Sequence, residues 1–159
     1  MVPSTSSSNL AALRNEVNHL LDQLPGMPHS ELIQRALSVL VGMAEVEADR
    51  LDWKILSAAL QDMERAFRVF YPYRHVRKVT IFGSARISAS NPEYQMAVDF
   101  ARCITAQGFM VMTGAGGGIM EAGNEGAGAE KSFGLNIQLP FEQGANPHIM
   151  GDPKLIEFK

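Results

Sequence analysis

Apolar residues recur at helical spacing three times within the first seventy positions. Leu10, Leu13, Val17, Leu20, Leu21 and Leu24 form one stripe, and the PGMP that follows stops it. A second carries Leu32, Ile33, Ala36, Leu37, Leu40, Val41 and Ala44, with Ser30 as its N-cap and Glu31 in the first turn. The third runs through Ile55, Leu56, Ala59, Leu60, Met63, Ala66, Phe67 and Phe70. Such stripes need burial, either against the rest of the chain or in a subunit interface. The YPYRHVRK stretch that follows interleaves aromatic and basic residues. It is short and leads directly into a strand, so it is expected to be a solvated linker rather than a nucleic-acid patch.

From Lys78 the period changes. Val79–Phe82 reads as a buried strand ending in Gly83 and Ser84. Asn91 as N-cap, Pro92 at the first helical position and Glu93 behind it start a helix, whose inward residues are Ala97, Phe100, Ala101 and Ile104 and whose stop is Gly108. FMVMT gives a second strand, Ile119–Lys131 a helix, and FGLNIQL a third strand closed by Pro140. Strand, helix, strand, helix, strand with right-handed crossovers is a βαβαβ half. The fold class is therefore α/β: a Rossmann-like parallel sheet, incomplete, preceded by a helical extension. The boundaries are 1–72 for the helical extension and 73–159 for the nucleotide-binding domain.

Composition narrows the partners. A net charge of −3 disfavours broad binding to nucleic acid or anionic lipid, and no apolar run is long enough for a membrane span. The single cysteine, Cys103, falls inside a helical pattern and reads as a core residue. One thiol suits a reducing compartment, so a cytoplasmic location is expected, and MVPSTSSSNL lacks the features of a secretory signal. Histidines at 19, 29, 75 and 148 lack the close pairing of a zinc site. Neither metal nor cofactor is expected.

The chemistry concentrates in VMTGAGGGIMEAGNEGA, where glycines crowd the turn between the second strand and its helix. Glycine lets backbone N–H groups approach an oxyanion closely, and a helix N-terminus at Ile119 adds its positive end. Gly114, Gly116, Gly117 and Gly118 thus form a candidate phosphate cradle. In a parallel sheet the GSAR turn after the first strand converges on the same end. A dinucleotide fingerprint would follow the first strand, and a Walker loop would end in Gly-Lys-Ser/Thr where Ile119-Met120 stands. Both are disfavoured.

Taken together, IFGSAR, GFMVMTGAGGGIMEAGNEGA and GLNIQLPFEQGANP resemble the Lonely-guy family of cytokinin-activating phosphoribohydrolases, formerly labelled lysine decarboxylases, over Lys78–Pro147. The resemblance implies a Rossmann-like homodimer or higher homo-oligomer. It would hydrolyse the N-glycosidic bond of a nucleoside monophosphate, AMP or N6-modified AMP, to free base and ribose 5-phosphate. It would place the phosphate and ribose against Gly83, Ser84, Thr113 and the Gly114–Gly118 loop, with Glu121 facing the same pocket. Glu121 is the catalytic candidate, or else a carboxylate that complements the helix dipole. Arg86 either pairs with phosphate or is a surface arginine. The family's second motif, Pro-Gly-Gly-x-Gly-Thr-x-x-Glu, and the arginine before it do not occur in the 159 residues. The expectation is the front part of a longer enzyme, inactive alone, with its third strand left as an open edge. A non-catalytic nucleotide- or phosphate-binding module is the alternative.

Overall fold

The computed structural model describes residues 5–23, 25–46, 48–137 and 144–158. Leu24, Gln138 and the whole LPFEQ segment, with Leu139 and Pro140, lie outside them. The chain forms two compact units, Met1–Ile55 and Leu56–Lys159.

In the first unit, α1 (Thr5–Asp22) packs against α2 (Ser30–Glu45), and Arg14 pairs with Glu45. The cap of α2 is His29, not Ser30: the chain turns through the left-handed region there, φ 62°, and Ser30 is already helical. No side chain caps this end, because the turn after PGMP is made by backbone conformation that histidine tolerates better than most residues. No residue of α2 is fully buried, and Leu32 and Val39 stay more than half exposed. Within this unit the described apolar residues of α1 and α2 are only partly covered.

The second unit begins within α3 (Arg50–Phe70) and holds a sheet of four parallel strands, β1 (Lys78–Thr80), β2 (Met110–Thr113), β3 (Ser132–Ile137) and β4 (Leu155–Phe158), in that spatial order. Gly134 pairs with Leu155 and Ile137 with Phe158, so β3 is an interior strand and not the open edge expected from the sequence. LIEF had too few residues to register as a strand by pattern alone. Its place is set by Ile156, 1% exposed, and by Gly134 N–H donating to Lys154 O at 3.1 Å.

Helices α4 (Pro92–Ala106) and α5 (Ile119–Ala127) follow β1 and β2. Right-handed crossovers in one direction put both on the same sheet face, and they pack on each other through Tyr94, Val98 and Ala122. The buried face of α4 is Tyr94, Val98, Ala101 and Thr105, rotated from the expected stripe; Phe100 is 49% exposed and Cys103 is exposed, not core. The polar members are inside because their groups are satisfied: Tyr94 OH donates to Glu125 Oε2 at 2.7 Å, and Thr105 Oγ1 to Ala101 O at 2.9 Å. Helix α5 stops at Gly128, φ 74°, four residues short of the expected Lys131.

Strand alternation sends Ser132 toward α5, where its hydroxyl donates to Asn124 O at 3.4 Å, and Phe133 to the other face. There Phe70 stacks on Phe133 at 4.8 Å and Tyr73 meets it edge-on at 5.3 Å. The YPYRHVRK stretch is thus anchored at Tyr73 and Lys78, while Tyr71, Pro72, Arg74, His75 and Arg77 are exposed as a solvated linker would be. Lys78 Nζ donates to Tyr73 O at 2.5 Å and Val76 O at 2.8 Å, and burial holds its amine below the usual lysine range.

Candidate functional site

The site lies at the carboxyl ends of β1 and β2, where the GSAR and GAGGG turns meet the start of α5. Gly118 makes the junction, with φ 64° and ψ −127°. A Cβ there would land on the Ser84 carbonyl, so only glycine lets the two turns touch. Ser84 O accepts the Ile119 N–H at 3.1 Å, which satisfies the first amide of α5. A Cβ on Gly83 would stand 2.6 Å from Ile119 Cβ. Gly83 and Ser84 thus seat the helix against β1.

The glycine loop is held from behind. Thr113, 1% exposed, accepts the Ala115 N–H on Oγ1 at 2.9 Å and donates to Asn124 Oδ1 at 2.7 Å. Ala115 is fully buried at φ 60°, an uncommon conformation for a residue with a side chain. Asn146 N–H donates to Ala115 O at 2.7 Å; Asn146 Nδ2 faces Ala115 O at 3.1 Å, Gly116 O at 3.1 Å and Asn124 Oδ1 at 3.0 Å. Among the described residues, no acceptor takes the N–H of Gly116, Gly117 or Gly118. Three successive amide donors beside a helix N-terminus can bind an oxyanion.

Gly114 and Gly116 lie under Met120, whose sulfur and methyl stand 2.9 Å and 2.7 Å from the Cβ positions those glycines lack. A Cβ on Gly117 would meet only ordinary contacts, Ala85 O at 3.5 Å and Glu121 Oε2 at 3.7 Å. Glu121 therefore borders the loop. Its Oε1 lies 3.9 Å from His148 Nε2, and Glu125 Oε2 lies 3.8 Å from the same nitrogen. When protonated, the imidazole offsets two carboxylates next to the open amides. Burial, then the hydrogen bond to Glu125, then the charges of Glu125 and Glu121 push the Tyr94 hydroxyl above the ordinary tyrosine range. Arg86 is exposed, and its backbone N–H donates to Ser84 Oγ at 3.2 Å.

The structure thus brings Gly83, Ser84, Gly114, Gly116, Gly117, Gly118 and Glu121 to one end of the sheet, and puts Thr113 behind the loop. Asn124, Asn146 and His148 were not singled out by the sequence. Asn146 and His148 lie some thirty positions past the glycines, with no spacing rule to link them, and Asn124 resembles any helical asparagine.

A parallel sheet with a glycine-rich strand-to-helix turn at its carboxyl end defines a Rossmann-like, nucleotide-related module. Residues 76–147 match the SLOG cluster4 family. The SLOG superfamily includes the Lonely-guy family, so the matched segment and the Lys78–Pro147 resemblance agree. No curated protein matches the chain. No helix among the described residues is long and apolar enough to cross a membrane.

Proposed function

We propose that the chain binds the 5′-phosphate of a nucleoside monophosphate, AMP or N6-modified AMP, at the amides of Gly116, Gly117 and Gly118, as the nucleotide-holding part of a Lonely-guy-type phosphoribohydrolase. The observation that carries this reading is the run of three N–H groups just ahead of α5 that have no partner among the described residues, inside the segment that matches a SLOG family. The proposal gives Glu121 the sugar side of the nucleotide, supported by its Oε2 lying 3.7 Å from where a Cβ on Gly117 would stand. Arg86 sits on the adjoining GSAR turn, free to reach a phosphate.

Binding would fall to these residues, whereas N-glycosidic hydrolysis in the family also takes the Pro-Gly-Gly-x-Gly-Thr-x-x-Glu motif, not found in the 159 residues. An oxocarbenium-like transition state needs a carboxylate fixed at the sugar, and Glu121 would act there alone. Incubation with AMP and with isopentenyladenosine monophosphate, followed by chromatography for free base, tests this division. Binding with little or no base release is expected. Turnover comparable to a complete family member would contradict it.

A homodimer or higher homo-oligomer is part of the same proposal. It is supported by the exposed apolar residues of the helical region, among them Leu20, Leu32, Leu51, Ile55 and Phe67.

A further inference from the structure

We infer that Asn146 is a positioning residue for the phosphate site: by holding the carbonyls of Ala115 and Gly116, it aims the next two amides at the ligand. The inference rests on the phosphate-binding reading above. Its basis is peptide geometry. In a trans peptide the C=O and the following N–H point in opposite directions. The Ala115 carbonyl accepts from both the N–H and the carboxamide of Asn146, at 2.7 and 3.1 Å, so the Gly116 N–H points away from Asn146. The Gly116 carbonyl accepts from the carboxamide at 3.1 Å, so the Gly117 N–H points away too. Both glycines are only partly buried, and neither amide has an acceptor among the described residues.

The same contacts keep Ala115 in its left-handed conformation, which the loop alone would not favour. Asn146 is itself buried and held by two further partners. It is 4% exposed, its Nδ2 faces Asn124 Oδ1, and its Oδ1 accepts the His148 N–H at 3.2 Å. Asn124 is fully buried, and its Nδ2 has no hydrogen-bond partner among the described residues. A donor left unmade in the interior is costly. Here it accompanies an arrangement in which Asn124 offers its oxygen to Thr113 and Asn146 at once. The glycines supply open backbone, and Asn146 supplies its direction.

The test uses the full chain. Asn146→Ala removes the carboxamide; Asn146→Asp keeps the oxygen that accepts from His148 but loses the donor to the two carbonyls. Val98→Ala removes a buried side chain between α4 and α5, away from the loop, and controls for lost stability. Amide ¹H–¹⁵N resonances of Gly116 and Gly117, thermal unfolding and calorimetric titration with AMP are measured for each. Both Asn146 variants should shift the two glycine resonances and weaken AMP binding by about tenfold or more, whereas Val98→Ala does neither. Where Asn146→Ala unfolds too readily, Asn146→Asp carries the comparison. Unchanged AMP affinity in a folded Asn146 variant, or an equal loss in Val98→Ala, overturns the inference. If the parent binds no AMP, the phosphate-site reading falls, and the resonances decide the rest: displaced in the Asn146 variants they sustain the orienting role, unmoved they refute it.

Discussion

Gly118 and Ser84 touch across the two turns of the site, so closely that a Cβ on the glycine would fall on the serine's carbonyl. The glycine also holds φ 64° and ψ −127°, which L side chains rarely adopt. Gly118→Ala should therefore cost about 3 kcal/mol or more, or prevent folding. Gly117→Ala, with its nearest neighbour at 3.5 Å, should stay within about 1 kcal/mol of the parent. Urea unfolding of the two variants side by side checks this; equal losses would mean that the turns do not meet as described.

Helices α4 and α5 approach through Gly126. A Cβ there would land on the Val98 carbonyl and lie 2.9 Å from Ala101 Cβ. Gly126→Ala should force the helices apart and lower the unfolding free energy by about 1–3 kcal/mol, although alanine is the better helix former. A variant as stable as the parent would show that this packing can relax freely.

Thr113 serves the loop from behind, since its hydroxyl accepts from Ala115 N–H and donates to Asn124. Thr113→Val keeps the shape and removes both bonds, leaving a buried amide unsatisfied. The expected loss is about 1–3 kcal/mol in chemical denaturation. Faster exchange of the Ala115 amide should accompany it.

The Tyr94 hydroxyl, raised by burial and by Glu125, links stability to alkaline pH. An acid whose folded pKa exceeds its unfolded value keeps its proton longer in the folded state. Its contribution is complete below the unfolded pKa of about 10 and is lost as pH rises above that. The difference in unfolding free energy between the parent and Tyr94→Phe should be flat from pH 7 to 9 and shift against the parent above pH 10. A difference independent of pH would show that burial and Glu125 do not hold the Tyr94 proton in the folded state.

How much of this was legible in the sequence follows from the range of each signal. Strand β2, the glycine turn and the start of α5 are adjacent in the chain, so pattern and turn chemistry located them. Strand β4 is four residues long and is held by its pairing with β3, a contact without a local trace. The buried face of α4 was misread because Tyr94 and Thr105 are polar by type, yet satisfied inside by Glu125 and Ala101. Asn146 escaped because its partners, Ala115 and Gly116, become neighbours only after the chain passes through β3 and returns.

We propose above that the Gly116–Gly118 amides hold a nucleotide phosphate. Calorimetric titration of the parent and of Gly117→Val with AMP, ribose 5-phosphate and adenosine tests it most directly, with thermal unfolding recorded without ligand. AMP and ribose 5-phosphate should bind the parent, adenosine should bind far more weakly, and Gly117→Val should lose both phosphate ligands while unfolding near the parent's temperature. A folded Gly117→Val that binds AMP as tightly as the parent would contradict the claim, and the glycine loop would then be a structural turn.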